Sequence, residues 1–169
     1  DLATIDEDGF TPLLLKTLRK LAALENISDV EMIRQQQMAK SNPDAPNPSV
    51  EALLHAIIPF NWIDHTHADA VVTLTNTPEG NELIRKIYGE RLLLIPYVMP
   101  GFKLSRKVFE MTTKIDWTQC EGMILLNHGI FSFGDTARES YTRMIDLVSL
   151  AEDFLAKNST LANTAATES

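Results

Sequence analysis

The chain has 169 residues, 44% of them apolar and 22% charged, the composition of one ordinary globular domain rather than of a disordered chain. Its 15 Lys and Arg against 23 Asp and Glu leave a net charge of −8. That sign opposes binding to nucleic-acid phosphates and to anionic membrane surfaces, and no clustered basic face or long apolar run offsets it.

Gly9-Phe10-Thr11-Pro12 opens the first ordered element, with Thr11 as N-cap and Pro12 at the first helical position. A helix is expected over 13–24, with Leu14, Leu18, Leu21 and Leu24 near one face. A more polar helix follows over 29–39, then a proline-rich loop over 41–48. Pro48-Ser49-Val50-Glu51 starts the next helix, which Pro59 stops. Residues 61–67 read as a strand, 68–75 as a helix or turn, and Thr77-Pro78-Glu79-Gly80 as the start of another helix. Leu92–Tyr97 is expected as a buried strand, 104–115 as an amphipathic helix, and 122–133 as a strand pair or a strand and turn. Asp135 is the expected cap of a long last helix, whose apolar stripe includes Tyr141, Met144 or Ile145, Val148, Ala151 and Leu155. The alternation of strands and helices places the chain in the α/β class. The polar residues after Lys157 read as a tail or linker.

The residues able to do chemistry are few. Cys120 is the single cysteine, so it makes no internal disulfide, and with no leader-like start the chain suits a reducing, cytoplasmic compartment. In Asp64-His65-Thr66-His67, two imidazoles two residues apart on a strand share a face and can converge on one point. Neutral imidazole is a good ligand for zinc and related divalent ions, and a catalytic centre needs about three protein ligands and an open position. His128, in Asn127-His128-Gly129 at the end of an apolar strand, is the natural third, with Gly129 allowing a tight turn. Glu51 could add a carboxylate beside the metal. Taken singly, each feature also has a bland reading: strand-end histidines satisfying backbone partners, a first-turn acid complementing a helix dipole, a surface pair of Glu51 with His55.

Taken in order, Ser49-Val50-Glu51, His65-Thr66-His67, the Pro96-Tyr97 strand end and Asn127-His128-Gly129 before a long helix resemble the class II aldolase/adducin family. The 61 positions from His67 to His128 are similar to the interval in its metal-dependent sugar-phosphate aldolases. The segments around Ser49, Asp64, Leu74 and Pro96 look like the aldolase portion of the bifunctional rhamnulose-1-phosphate aldolase/alcohol dehydrogenases. The resemblance covers roughly residues 1–157, leaving 158–169 as the polar tail or linker.

This resemblance implies a three-layer α/β/α sandwich around a mainly antiparallel sheet, often assembled as a cyclic tetramer. It implies that His65, His67 and His128 hold a divalent metal, zinc being expected. By the same resemblance Glu51 is the active-site acid/base and Ser49 lies near the substrate phosphate. The reaction implied is retro-aldol cleavage of a ketose 1-phosphate, such as rhamnulose 1-phosphate, to dihydroxyacetone phosphate and a short aldehyde. The family's upstream phosphate-binding segment and, in the bifunctional branch, a C-terminal dehydrogenase domain have no counterpart in the sequence, which is therefore expected to begin and end inside a longer chain. A pentulose-phosphate 4-epimerase, a thio-sugar-phosphate dehydratase and an adducin-like interaction module share the fold, though adducin-type members characteristically lack the histidines present here.

Overall fold

A computed structural model describes Asp6 and residues 9–167, with side chains described as far as Asn158. The chain divides into two compact units: Asp1–Pro59 with Val98–Ile115, and Phe60–Tyr97 with Asp116–Ser169.

The first unit is helical: α1 (Leu15–Ala22), α2 (Asp29–Met38), α3 (Ala52–Ile57) and α6 (Phe102–Thr112). Leu18, Leu21, Ala22, Met32, Leu53, Ala56 and Phe102 form its buried cluster. Each large side chain there contributes about 1.5–3 kcal/mol by leaving water. The expected Thr11-Pro12 start is overturned, because Leu13 makes an isolated bridge with Lys40 and the Thr11 hydroxyl donates instead to the Pro46 carbonyl at 2.9 Å. Leu14 therefore stands at the N-cap of a shorter helix. It remains exposed, as does Leu24 beyond the helix, whereas Leu18 and Leu21 are buried. Ser28 caps α2 by accepting from the Glu31 N–H at 3.2 Å. Asp29 reaches across to accept from the Phe102 N–H at 2.7 Å, satisfying an otherwise orphaned donor at the start of α6.

The second unit holds one sheet, β1 (Trp62–Thr66), β2 (Leu92–Ile95), β3 (Gly122–Leu125) and β4 (Gly129–Gly134), with α4 (Asp69–Thr75), α5 (Gly80–Tyr88) and α7 (Ala137–Thr167). The strand order is β1-β4-β3-β2. β1–β4 and β4–β3 pair antiparallel, but β3–β2 pair parallel. The sheet is thus mixed, and with two of its three pairings antiparallel it fits the mainly antiparallel sheet expected. A parallel pair needs a long crossover, and the chain from Ile95 to Gly122, carrying α6, supplies it.

Side chains alternate across the sheet. Ile124 and Ile130, opposite each other in the β3–β4 register, join Val71, Leu74, Ile84, Tyr88, Met144, Leu147 and Ala151 in the cluster under α4, α5 and α7. Phe131 and Phe133 therefore face the other way; Phe60 stacks on Phe133 at 4.7 Å between ring centroids.

The cap of α7 is Thr136, not Asp135. Its hydroxyl accepts from the Glu139 N–H at 3.2 Å while the Glu139 carboxylate accepts from the Asp135 N–H at 2.9 Å, a close variant of the reciprocal capping box. Met144, Leu147 and Ala151 line the buried face, whereas Tyr141 and Ile145 are exposed. Ser140 takes the buried position expected for an apolar residue. Polar composition past Lys157 does not end the helix, which runs to Thr167; Glu168 and Ser169 of the expected tail lie outside the described residues.

Candidate metal centre

The histidines sit on the sheet face turned away from α4, α5 and α7. His65 lies opposite Phe131 in the β1–β4 register, and the two rings stack at 4.0 Å with 16° between planes. The His65 Nδ1 lies 3.0 Å from the Ile130 carbonyl. A carbonyl only accepts, so in the neutral ring the proton sits on Nδ1 and Nε2 turns its lone pair outward. His67 follows β1 by one residue and points the same way. Its Nε2 lies 3.0 Å from the His65 Nε2. Two lone pairs at that distance repel unless a proton or a metal cation lies between them.

His128 comes from the link between β3 and β4. Its ring centroid stands 5.4 Å from that of His65 and 4.8 Å from that of His67. Each of the three histidines offers a ring nitrogen, and these nitrogens lie within 4.8 Å of one another. His67 is exposed and the other two are half-buried. Three imidazoles on a solvent-accessible rim are a donor set that could hold a divalent ion with a position left for substrate.

The link that carries His128 is built by residues whose roles differ from the expected ones. Gly129 has no positive φ; among the described residues the non-glycine with positive φ is Asn127, at 58°. Asn tolerates this left-handed conformation better than most residues. The His128 N–H closes the turn on the Leu125 carbonyl at 3.2 Å. Gly129 is needed for space: a Cβ there would stand 2.6 Å from the Thr66 carbonyl oxygen, 2.9 Å from the His67 ring and 3.0 Å from the His65 ring. On the opposite face, Ser140 donates to the Asp64 carboxylate at 2.6 Å and Ser132 to the Ser140 carbonyl at 2.8 Å, tying β1 and β4 to α7 beside His65.

The other expected residues belong to the first unit. Glu51 is the N-cap of α3 and half-buried, and its N–H donates to the Ser49 hydroxyl oxygen at 3.2 Å. Ser49 is exposed. His55 lies one turn along α3 and is not in the convergent set. Cys120 is free, and burial followed by the Asp116 carboxylate pushes its thiol above the ordinary range.

Residues 16–155 match the family described as the Class II Aldolase and Adducin N-terminal domain. The chain belongs to the class II aldolase and adducin family. This family match runs across both compact units. The chain is 32% identical over 155 residues to an uncharacterized oxidoreductase, YuxG, of Bacillus subtilis, covering 92% of this chain but only 22% of that protein. Among solved structures it is similar to the N-terminal class II aldolase domain of a conserved protein from Thermoplasma acidophilum, at 37% identity and TM-score 0.82, covering 92% of this chain and 70% of that one. A sugar-phosphate aldolase from Thermotoga maritima shares the aldolase fold at 22% identity and TM-score 0.55, over 72% of this chain and 58% of that one. Among the described residues no helix is long and apolar enough to cross a membrane.

Proposed function

We propose that this domain cleaves a ketose 1-phosphate, of the rhamnulose 1-phosphate kind, to dihydroxyacetone phosphate and a short aldehyde by the metal-dependent route. The observation that carries the reading is the convergence of three imidazoles around an outward-turned His65 Nε2. His65, His67 and His128 would hold one divalent ion, zinc by the chemistry of the donors. Such an ion, when bound, supplies Lewis acidity to the substrate's oxygens.

The chain's own groups do the rest in this reading. Glu51 is the acid/base: its carboxylate takes the proton of the C4 hydroxyl as the C3–C4 bond breaks, the electron pair passes to C3, and the same proton is returned to C3. One group thereby closes the proton count. The Ser49 hydroxyl accepts from the Glu51 N–H, so its own O–H remains to donate to a phosphate oxygen. Self-association as a tetramer and a cytoplasmic location complete the proposal. A dehydrogenase portion downstream in the native protein is supported by the longer Bacillus relative, named as an oxidoreductase, of which this chain covers 22%. The test is release of aldehyde from rhamnulose 1-phosphate by the full-length protein. Aldehyde formation that is lost with a chelator and restored by zinc supports it; epimer formation or water loss without free aldehyde would replace it.

A further inference from the structure

We propose that Asn76 and Asn127 form a latch that holds the link carrying His128 in place for metal binding, acting as positioning residues outside the ligand set; this rests on the metal-centre reading above. Three observations converge. Asn127 holds the left-handed φ of 58° immediately before His128. Its side-chain amide donates to the Asn76 side-chain oxygen at 2.8 Å. Asn76 in turn is fixed at the end of α4, where its N–H donates to the Val72 carbonyl at 3.0 Å.

The His128 ring stands at the end of a lever arm. β3 and β4 are paired from Leu125–Gly129 inward, so only Leu126, Asn127 and His128 lie between them. Within that link a rotation about the Asn127 backbone swings the His128 Cα, and with it the ring, relative to a sheet that carries His65 rigidly. The left-handed well is shallow for any residue with a Cβ, and extended or right-handed conformers compete with it. A bond from the Asn127 side chain to a helix end stands against that rotation. The two asparagines are exposed, so their bond adds little to global stability. Its consequence is local: it reduces the number of conformers from which His128 must be recruited when a metal binds. Binding by a partly populated conformer weakens the apparent affinity by that fraction.

The test uses zinc alone as probe, titrated by competition with a chromophoric chelator, on the parent chain and on Asn76→Ala, Asn127→Gly and the double variant. Asn127→Gly keeps the left-handed conformer accessible while removing the side-chain bond, and Asn76→Ala removes the same bond from the other side. Each single variant is expected to bind zinc about tenfold more weakly, the scale seen for groups that orient metal ligands. The double variant should be no weaker than Asn76→Ala combined with the loss from backbone freedom at Asn127, well short of the product of the two. The metal-free melting temperature should stay at the parent value, which a merely structural role would not allow. Parent zinc binding that both single variants match, or a loss that tracks a fall in melting temperature, would overturn the latch. A parent that binds no zinc would overturn the metal-centre reading itself and this inference with it.

Discussion

Gly129→Ala should damage the centre through space rather than through backbone conformation. The added Cβ would stand 2.6 Å from the Thr66 carbonyl oxygen, and ordinary contact begins at 3.4 Å, so β1 and β4 must separate locally by roughly 0.8 Å. The obstacle is backbone, which cannot swing aside as a long side chain can. Overpacking of this kind costs about 1–3 kcal/mol, or roughly 2–12 °C in melting temperature for a chain of this size. The same methyl presses on both the His65 and His67 rings, at 3.0 and 2.9 Å. Zinc affinity should therefore fall by about tenfold or more. Gly89→Ala is the matched control. Gly89 has φ 61° and nothing within 4 Å of a built Cβ, so alanine there costs about 1–3 kcal/mol of backbone strain without touching the histidines. Thermal melting and zinc competition on the two variants should give similar losses of stability and a loss of affinity in Gly129→Ala alone. A Gly129→Ala chain that matches the parent in both measurements would show that the strands absorb the methyl without disturbing the histidines.

Glu51→Gln keeps the shape of the side chain and removes the base; in the full-length enzyme turnover should drop by about 10²–10⁴ with zinc content unchanged, and equal turnover would remove Glu51 from the mechanism. Thr136→Ala deletes the hydroxyl that accepts from the Glu139 N–H and should cost about 1 kcal/mol in chemical denaturation, against no change if the N-terminus of α7 is held otherwise. Tyr88 donates from a buried position to the Leu147 carbonyl at 2.8 Å, and burial pushes its phenol above the ordinary value. An unfolded phenol ionises near 10 while the folded one still holds its proton, so this residue's contribution is intact below about pH 10 and is lost as pH rises beyond it. Tyr88→Phe should be less stable by about 1 kcal/mol at neutral pH, with the gap to the parent narrowing above pH 10; a constant gap would show that Tyr88 ionises alike in both states.

Strand periodicity turns His65 and His67 to one side and the apolar run before Asn127 marks where a strand ends, but it took the family resemblance to single out the three histidines whose side chains lie together here. What could not be read was why each neighbour is present. Gly129 suggests a tight turn in any sequence, but only its close approach to the Thr66 carbonyl oxygen shows that its missing Cβ is what matters. The left-handed residue was its neighbour Asn127, and asparagine's tolerance of that conformation was the available signal. At α7, Asp135 and Thr136 are both able caps; Glu139, three residues after Thr136, was the sign that should have decided between them. Helical period puts Tyr141 in the buried stripe, yet Ser140 holds the buried position, where its hydroxyl donates to the Asp64 carboxylate. At the other end, Thr11-Pro12 has the chemistry of a helix start, but the Leu13–Lys40 bridge is a long-range pairing that overrides local preference. The parallel β2–β3 pair is equally non-local, since nothing in Leu92–Ile95 encodes the direction of its partner.

The proposed function rests on one metal ion held by His65, His67 and His128. The direct measurement is the zinc-to-protein ratio by atomic emission after equilibration with zinc and removal of the excess, for the parent and for His65→Ala, His67→Ala and His128→Ala. One zinc per parent chain, lost in each of the three variants while they remain folded by circular dichroism, is the predicted result. A folded parent that retains no zinc, or a His128→Ala chain that retains a full equivalent, would contradict it.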